Sequence, residues 1–178
     1  EQLDFKGVDS LDKIKFIIQN KLKEVKPNEW ILGFGWDQNL FSDKLFPSSI
    51  FLDEISPNNP IYFTRIDGHS AWVNKAALLK TGKLISEIHN LEGGQVINDC
   101  ILIDNAMGIF KNLLPSENKE QVKKWILNAA NKACSYGITG VHDAWQDSIA
   151  IESIKELIEE DRFPIRCYGM LASNDLEL

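Results

Sequence analysis

The stretch PIYFTRIDGHSAWVNKAALLKTG (residues 60–82) constrains the fold of this chain more than any other. Its first part, residues 61–66, is apolar, β-branched and aromatic, which predicts a buried strand. After a turn at residues 67–68, apolar residues recur at helical spacing, which predicts a helix that includes Trp72 and Val73 and ends at the glycine closing the stretch. A helix N-terminus beside the carboxyl end of a strand offers free amides, so polar side chains at this junction are candidates for ligand binding.

Length and charge exclude several classes of protein. The chain has 178 residues, of which 44% are hydrophobic, so it suits one domain, or one domain plus part of another, with a substantial core. Its formal net charge of −7 argues against a nucleic-acid partner, which would favour a basic surface. No apolar run approaches the roughly 20 residues that cross a bilayer, so we expect neither a membrane span nor a membrane partner.

The cysteines indicate a reducing compartment. There are three, Cys100, Cys134 and Cys167, widely spaced and without a Cys-x-x-Cys pair. This pattern supports neither a disulfide framework nor a metal cluster. We therefore predict buried free thiols and a cytoplasmic location.

The first part of the chain, residues 1–115, mixes helices and strands irregularly, which is typical of an α+β unit. Ser10 can cap an amphipathic helix, and WILGFGW at residues 30–36 predicts a strand whose glycines bring the backbone close to a neighbour. Two weak strands flank the tight-turn pair Asn98-Asp99.

The second part, residues 116–178, alternates regularly between helix and strand. A helix from Ser116 is predicted to close at a glycine, and a strand follows at residues 138–142. Asp147 then caps another helix, and residues 163–171 form a further strand. This order is typical of parallel strands joined by crossovers, but two such strands cannot form a stable sheet alone.

Four motifs in order resemble one known family. They are WILGFGWDQNLF, PIYFTRIDGHSAWVNKAAL, ILIDNAM and GITGVHDA, and together they resemble the YtcJ-like amidohydrolases, the family 3 branch of the metal-dependent hydrolases. The resemblance implies a (β/α)₈ barrel with an α+β insertion after its first strand, and hydrolysis of amide-type C–N bonds with bound divalent metal, zinc being the expected ion.

The metal ligands that this resemblance implies cannot be mapped onto the chain. The family holds metal with a His-x-His pair and later His and Asp residues, whereas His69, His89 and His142 are scattered. A TIM-type barrel also takes about 250 residues. The resemblance therefore implies an α+β fold in which residues 1–115 form the insertion domain and residues 116–178 form two βα units of an incomplete TIM-type barrel. We expect no catalytic residue and no metal in this segment.

Five residues are candidates for binding a small-molecule substrate. Arg65 and Asp67 lie two apart where the predicted strand meets its turn, and with strand-like alternation they face the same side, either as an ion pair that fixes the turn or as ligand contacts. His69 either contacts substrate or holds the turn by hydrogen bonds to the backbone. His142, at the carboxyl end of a predicted parallel strand, is expected to line the cleft, and so is Trp36, with the adjoining Asp37, from the insertion.

These expectations give one function and one rival. The segment is predicted to shape the substrate-binding side of a metal-dependent amidohydrolase for non-peptide C–N bonds, to be inactive alone, and to self-associate through its unpaired strands. The rival is a non-catalytic α+β module for ligand binding or protein interaction.

Overall fold

The computed structural model describes residues 2–115 and 118–171, which fall into two compact units, residues 1–115 and 116–178. The first unit contains one six-stranded sheet. Its strands are Leu3–Asp4 (β1), Ile31–Trp36 (β2), Ile61–Arg65 (β3), Ser70–Val73 (β4), Gly94–Ile97 (β5) and Ile101–Asp104 (β6). They lie in the order β1-β2-β3-β4-β6-β5, with β1, β2 and β3 parallel and the remaining pairs antiparallel.

Helices cover both faces of this sheet. They are Leu11–Lys21 (α1), Ser49–Ile55 (α2), Lys75–Lys80 (α3) and Ile85–His89 (α4), with short 3₁₀ segments at Gln38–Leu40 and Asn105–Phe110. Helices α1 and α2 pack on the layer that contains Phe63 and Trp72. Helices α3 and α4 pack on the opposite layer, which contains Tyr62 and Val73. The two layers form one core on each side of the sheet.

The predicted strand-to-helix junction after residue 66 is wrong. Residues 70–73 form β4, which pairs antiparallel with β3, and the helix α3 begins only at Lys75. All four residues of β4 are buried, with Trp72 in one layer and Val73 in the other. A strand buried on both faces is mostly apolar, as residues 71–73 are, so its sequence cannot be told from that of a buried helix by periodicity.

Several local predictions are confirmed. The Ser10 hydroxyl accepts a hydrogen bond from the Lys13 amide at the start of α1. Asn98 and Asp99 both have positive φ and are the central residues of the turn between β5 and β6, in which the Cys100 N–H donates to the Ile97 carbonyl at 3.1 Å. In β2, a Cβ on Gly33 would lie 2.6 Å from the Phe5 ring, which explains the glycine there.

The second unit contains helix Lys119–Ser135 (α5), strand Gly140–Gln146 (β7), helix Ser148–Glu159 (α6) and strand Arg166–Leu171 (β8). Strands β7 and β8 pair in parallel, as predicted. The Asp147 side chain caps α6 by accepting from the Ala150 amide. The predicted start of the preceding helix at Ser116 lies outside the described residues, and Asn118 is the cap of α5.

Strand β7 is longer than its sequence suggested. Its pairing with β8 continues past His142 through Asp143 to Gln146, with a bulge between the last two. His142 therefore lies within the strand rather than at its carboxyl end, which corrects the prediction. The polar Asp143 resembled a strand end, but its carboxylate accepts a hydrogen bond from Gln146, at 3.3 Å, across the bulge.

The three cysteines are free, as predicted, but only Cys100 is buried. Burial raises the pKa of the Cys100 thiol to about 12, which makes it unreactive. Cys134 is exposed and Cys167 is half-buried, so the prediction of burial is wrong for these two. Among the described residues, no helix combines the length and apolar character needed to cross a membrane.

Candidate functional site

Polar side chains converge at one edge of the six-stranded sheet. The carboxyl ends of β2, β3 and β6 meet there with the amino end of β4, because β4 runs antiparallel to both β3 and β6. This arrangement gathers six residues that we call the edge cluster. They are Asp37, Gln38, Arg65, Asp67, His69 and Asp104.

Arg65 is the centre of one half of the edge cluster. Its side chain is 15% exposed, and Nε donates to Gln38 Oε1 at 2.8 Å. Its two terminal nitrogens pair with Asp67 and, at 3.4 Å, with Asp37. Each of the three guanidinium nitrogens therefore has a partner, from the segment after β2 or from the hairpin turn. The ion pair with Asp67 fixes this turn, which was the structural alternative for these residues.

His69 is the centre of the other half. Its backbone N–H donates to Asp67 Oδ1 at 3.0 Å, and its carbonyl accepts from the Asp104 N–H at 3.0 Å. Its ring Nδ1 lies 2.9 Å from Asp104 Oδ1, while 74% of the side chain stays exposed. The hydrogen bond and the charge of Asp104 raise the pKa of His69 above its ordinary value, and the charge of Asp67 adds to this effect.

Asp104 has an unusual backbone conformation, with φ of 49° and ψ of −119°. A non-glycine residue in a sparsely populated region of this kind typically costs about 1–3 kcal/mol. Such residues persist where the surrounding structure holds them, and they cluster at functional sites. The strained conformation therefore makes the end of β6 a candidate part of a functional site.

The edge cluster carries a formal charge of −2 when His69 is neutral, from three aspartates and one arginine. It can therefore accept hydrogen bonds and attract positive groups. Residues 2–115 and 118–171 contain no group of three or more His, Cys, Asp or Glu side chains arranged to hold a metal ion. The described residues thus do not fit a hydrolytic metal centre, which needs several such ligands.

Trp36 does not join this surface. Its side chain is fully buried, and Nε1 donates to the Phe63 carbonyl at 2.8 Å. The ring packs edge-on against Trp72, with ring centroids 5.9 Å apart. It supports β2 and β3 from the core and has no exposed surface to offer a ligand.

His142 belongs to the second unit and is not a member of the edge cluster. It is exposed and lies beside Tyr168 of β8, with ring centroids 5.3 Å apart. Asp143, the next residue, lines an apolar cavity of about 160 Å³ together with side chains of α5 and α6. The two neighbours therefore point to opposite faces of the strand pair, as alternation along a strand requires.

Sequence reasoning missed Gln38 and Asp104 as members of the edge cluster. Gln38 lies two residues after the end of β2 and Asp104 ends β6, and these positions were the available signal. It was incomplete because the helix predicted to include Trp72 and Val73 hid the antiparallel pairing of β4 with β6, which brings Asp104 to His69.

The sequence profile described as the amidohydrolase family matches residues 2–177. This chain belongs to the amidohydrolase family. The match covers nearly the whole sequence, including the motifs that contain the edge cluster.

Known relatives agree with this assignment. The chain is 30% identical over 148 residues to Protein LONG AFTER FAR-RED 3 of Arabidopsis thaliana, covering 80% of the chain and 25% of that protein. It is 27% identical over 179 residues to YtcJ of Bacillus subtilis (strain 168), named as an amidohydrolase, covering 94% and 34%. It is 25% identical over 149 residues to an N-substituted formamide deformylase of Arthrobacter pascens, covering 76% and 27%.

Two solved structures share the fold. One is an uncharacterized metal-dependent hydrolase from Pyrococcus horikoshii, with a TM-score of 0.62 and 17% identity over 96% of this chain. The other, from Pyrococcus furiosus, has a TM-score of 0.57 and 21% identity over 96% of the chain. The chain covers 33% and 34% of these structures, and it likewise spans between a quarter and about a third of the curated relatives.

Proposed function

We propose that this chain is an internal segment of a metal-dependent amidohydrolase that hydrolyses amide-type, non-peptide C–N bonds of small molecules. The observation that carries the proposal is the family match over residues 2–177. The deformylase relative supports the bond type, because an N-substituted formamide contains an amide C–N bond. In this proposal the first unit is the insertion domain, and the second is two βα units of an incomplete TIM-type barrel.

The catalytic metal, which we expect to be zinc, is assigned to residues outside this segment. The family relationship implies a divalent metal, but the described residues lack a cluster of ligands for it. We therefore assign no hydrolytic step to the side chains described above, and we expect the segment to be inactive alone.

The role that fits this segment is substrate recognition. Arg65 and Asp67 form a rigid support at the end of β3, and His69 extends from that support toward solvent. His142 is the candidate contact from the second unit, because it lies on the face of the strand pair opposite the cavity lined by Asp143. We propose that these side chains shape the substrate side of the active site.

A hydrolase assay with added zinc or manganese tests whether catalysis needs residues outside this segment. The 178-residue chain should show no turnover of N-substituted amides, whereas the full-length enzyme should. In that enzyme, His69→Ala should raise KM and leave the metal content unchanged. Turnover by the segment alone, or metal loss in the variant, contradicts this assignment of roles.

The rival function is a non-catalytic module for ligand binding or interaction. The missing cluster of metal ligands in the described residues is the observation that favours it. The complete reading frame decides between the two. A His-x-His pair upstream and further histidines downstream support the enzyme, and their absence from the complete protein supports the module. For either protein we propose a cytoplasmic location, which suits three free thiols.

A further inference from the structure

Every hydrogen-bonding group of His69 except Nε2 is held in place. The backbone N–H donates to Asp67, the carbonyl accepts from Asp104, and Nδ1 lies 2.9 Å from the Asp104 carboxylate. Within the described part of the chain, Nε2 has no recorded hydrogen bond, and the side chain is 74% exposed. The ring is therefore oriented by the protein while one nitrogen faces outward.

The chemistry of the partner decides which nitrogen carries the proton. An ionised carboxylate can only accept hydrogen bonds, so Nδ1 must be the donor in its contact with Asp104. In the neutral imidazole this leaves Nε2 without a proton, as a hydrogen-bond acceptor. When His69 is protonated, Nε2 becomes a donor instead.

We propose that Asp104 is a positioning residue that holds His69 as the Nδ1–H tautomer, so that Nε2 accepts a hydrogen bond from an N–H group of the substrate. This inference rests on the proposed amidohydrolase function and adds to it the chemical class of group that meets this surface. The backbone conformation of Asp104 is unfavourable for a residue with a Cβ, which supports a role for its side chain in positioning His69.

The charges around His69 favour the same class of group. Asp104 contacts the ring at Nδ1, and the charge of Asp67, which accepts from the His69 backbone N–H, also acts on the ring. Asp37 lies beyond Arg65 in the edge cluster. A substrate carboxylate would meet repulsion from these groups, whereas an amide or amine N–H would not. The geometry thus selects a substrate that presents a hydrogen-bond donor to this surface.

The proposal predicts a specific pH dependence. Because protonation converts Nε2 from acceptor to donor, substrate binding should weaken as pH falls through the pKa of His69. Asp104 and Asp67 are the charged groups that raise this pKa. Removing the Asp104 charge should therefore lower the pKa and move the acidic limb of kcat/KM to lower pH.

The first experiment is an NMR titration of the histidine ring nitrogens in the 178-residue chain. In the unmodified chain, ¹⁵N shifts should identify Nδ1–H as the neutral tautomer of His69. Asp104→Asn should lower the pKa of His69. Asp99→Asn is the matched control because Asp99 Oδ1 makes an equivalent 2.9 Å contact to His89, and it should leave the His69 titration unchanged.

The second experiment repeats these variants in the full-length enzyme with an N-substituted amide. At a pH where His69 is neutral, Asp104→Asn should raise KM about three- to tenfold and leave kcat nearly unchanged. This is the range expected for one misplaced hydrogen bond. The acidic limb should move by the same amount as the pKa measured by NMR. A merely structural role for Asp104 would not move that limb. Asp104→Gly, which suits the backbone conformation, serves if the first variant folds poorly.

The outcomes separate this proposal from the function on which it rests. An Nε2–H tautomer, or an unchanged His69 pKa in Asp104→Asn, overturns the positioning role. A changed pKa with unaltered kinetics overturns the substrate contact and leaves the amidohydrolase function intact. A full-length protein without amide hydrolysis overturns the proposed function and the substrate contact with it, while the NMR titration still decides the role of Asp104.

Discussion

The buried side chain of Asn74 joins three segments of the first unit. Its Oδ1 accepts from the amides of Ile61 and Ala77, at 2.9 and 3.0 Å. Its Nδ2 donates to the carbonyls of Ser56 and Asn59, at 2.8 and 2.9 Å. The Asn74 side chain thus caps α3, accepts from the first amide of β3, and donates to two carbonyls of the segment after α2.

Asn74→Ala should destabilise the chain by about 3 kcal/mol, because it removes four hydrogen bonds to buried backbone groups. Of these groups, the Asn59 carbonyl keeps a hydrogen bond from the Ser56 hydroxyl, at 3.2 Å. Urea unfolding followed by circular dichroism measures the change. Asn90→Ala is the control, since the Asn90 amide bonds to an exposed site, and it should cost less than about 0.5 kcal/mol. Equal effects of the two variants would show that the four-bond network carries little stability.

Asp104 allows a test of strain at the edge of the sheet. Its φ of 49° and ψ of −119° suit glycine better than any residue with a Cβ. Asp104→Gly should therefore keep or raise the free energy of unfolding, by up to about 1 kcal/mol, although it removes the contact to His69. Thermal unfolding measures this. A clear loss of stability would mean that the aspartate is retained for the fold and not for a site.

At the scale of elements, an ion-pair network joins α5 to α6. Lys123 Nζ lies 3.0 Å from Glu156 and 2.6 Å from Glu160, and Lys119 pairs with Glu152 at 3.0 Å and also with Glu156. Hydrogen bonds from Lys119 and Lys123 lower the pKa of Glu156, and those from Lys123 and Arg162 lower the pKa of Glu160. The same contacts raise the pKa of Lys123.

These shifts predict a plateau of stability in pH. Because the two glutamates have lower pKa values folded than unfolded, their contribution is complete above about pH 4.5 and is lost as pH falls through the folded values. Because the pKa of Lys123 is raised, its contribution is complete below about pH 10.5 and is lost as pH rises through the folded value.

Lys123→Met should make the stability of the helix pair less sensitive to pH on both sides of this plateau. The measurement is the thermal midpoint as a function of pH, at low salt so that screening is small. Lys124→Met, at an exposed neighbouring position on α5, should leave the profile unchanged. Identical profiles for Lys123→Met and the unmodified chain would show that the network does not control this dependence.

At the scale of the whole molecule, the strand pair of the second unit leaves large side chains exposed. Tyr168 is 65% exposed, and Met170 and Leu171 on the same strand are 40% and 54% exposed. Two parallel strands do not form a stable sheet by themselves, and exposed apolar surface tends to associate. In the barrel that we propose for the longer protein, further strands would pair with β7 and β8.

We therefore predict that the 178-residue chain self-associates through β7 and β8. Sedimentation should show oligomers whose population rises with concentration, and Tyr168→Ser combined with Met170→Ser should weaken them. Tyr136→Ser is the control, because that ring is 70% exposed but lies after α5 beneath Lys132. A monomer at all concentrations contradicts the prediction.

Much of the fold could be read from local sequence, because its signals act over a few residues. Ser10 and Asp147 cap helices through their own side chains, and the Asn98-Asp99 pair forms its turn through positive φ. The parallel pairing of β7 and β8 followed from the alternation of helix and strand. The family resemblance likewise came from motifs that are continuous in sequence.

Long-range packing decided the rest. Residues 70–73 form a strand because β3 and β6, on either side, hydrogen-bond to their backbone and helices cover both faces. The local periodicity of the sequence shows neither effect. That placement brings Asp104, 35 positions away in sequence, into contact with His69 and so completes the edge cluster. Burial likewise removed Trp36 from the candidate surface, since its partner, the Phe63 carbonyl, lies on the neighbouring strand. The sequence alone therefore determined most local elements and their order along the chain. The membership of the edge cluster depended on which strand ends meet in the tertiary structure.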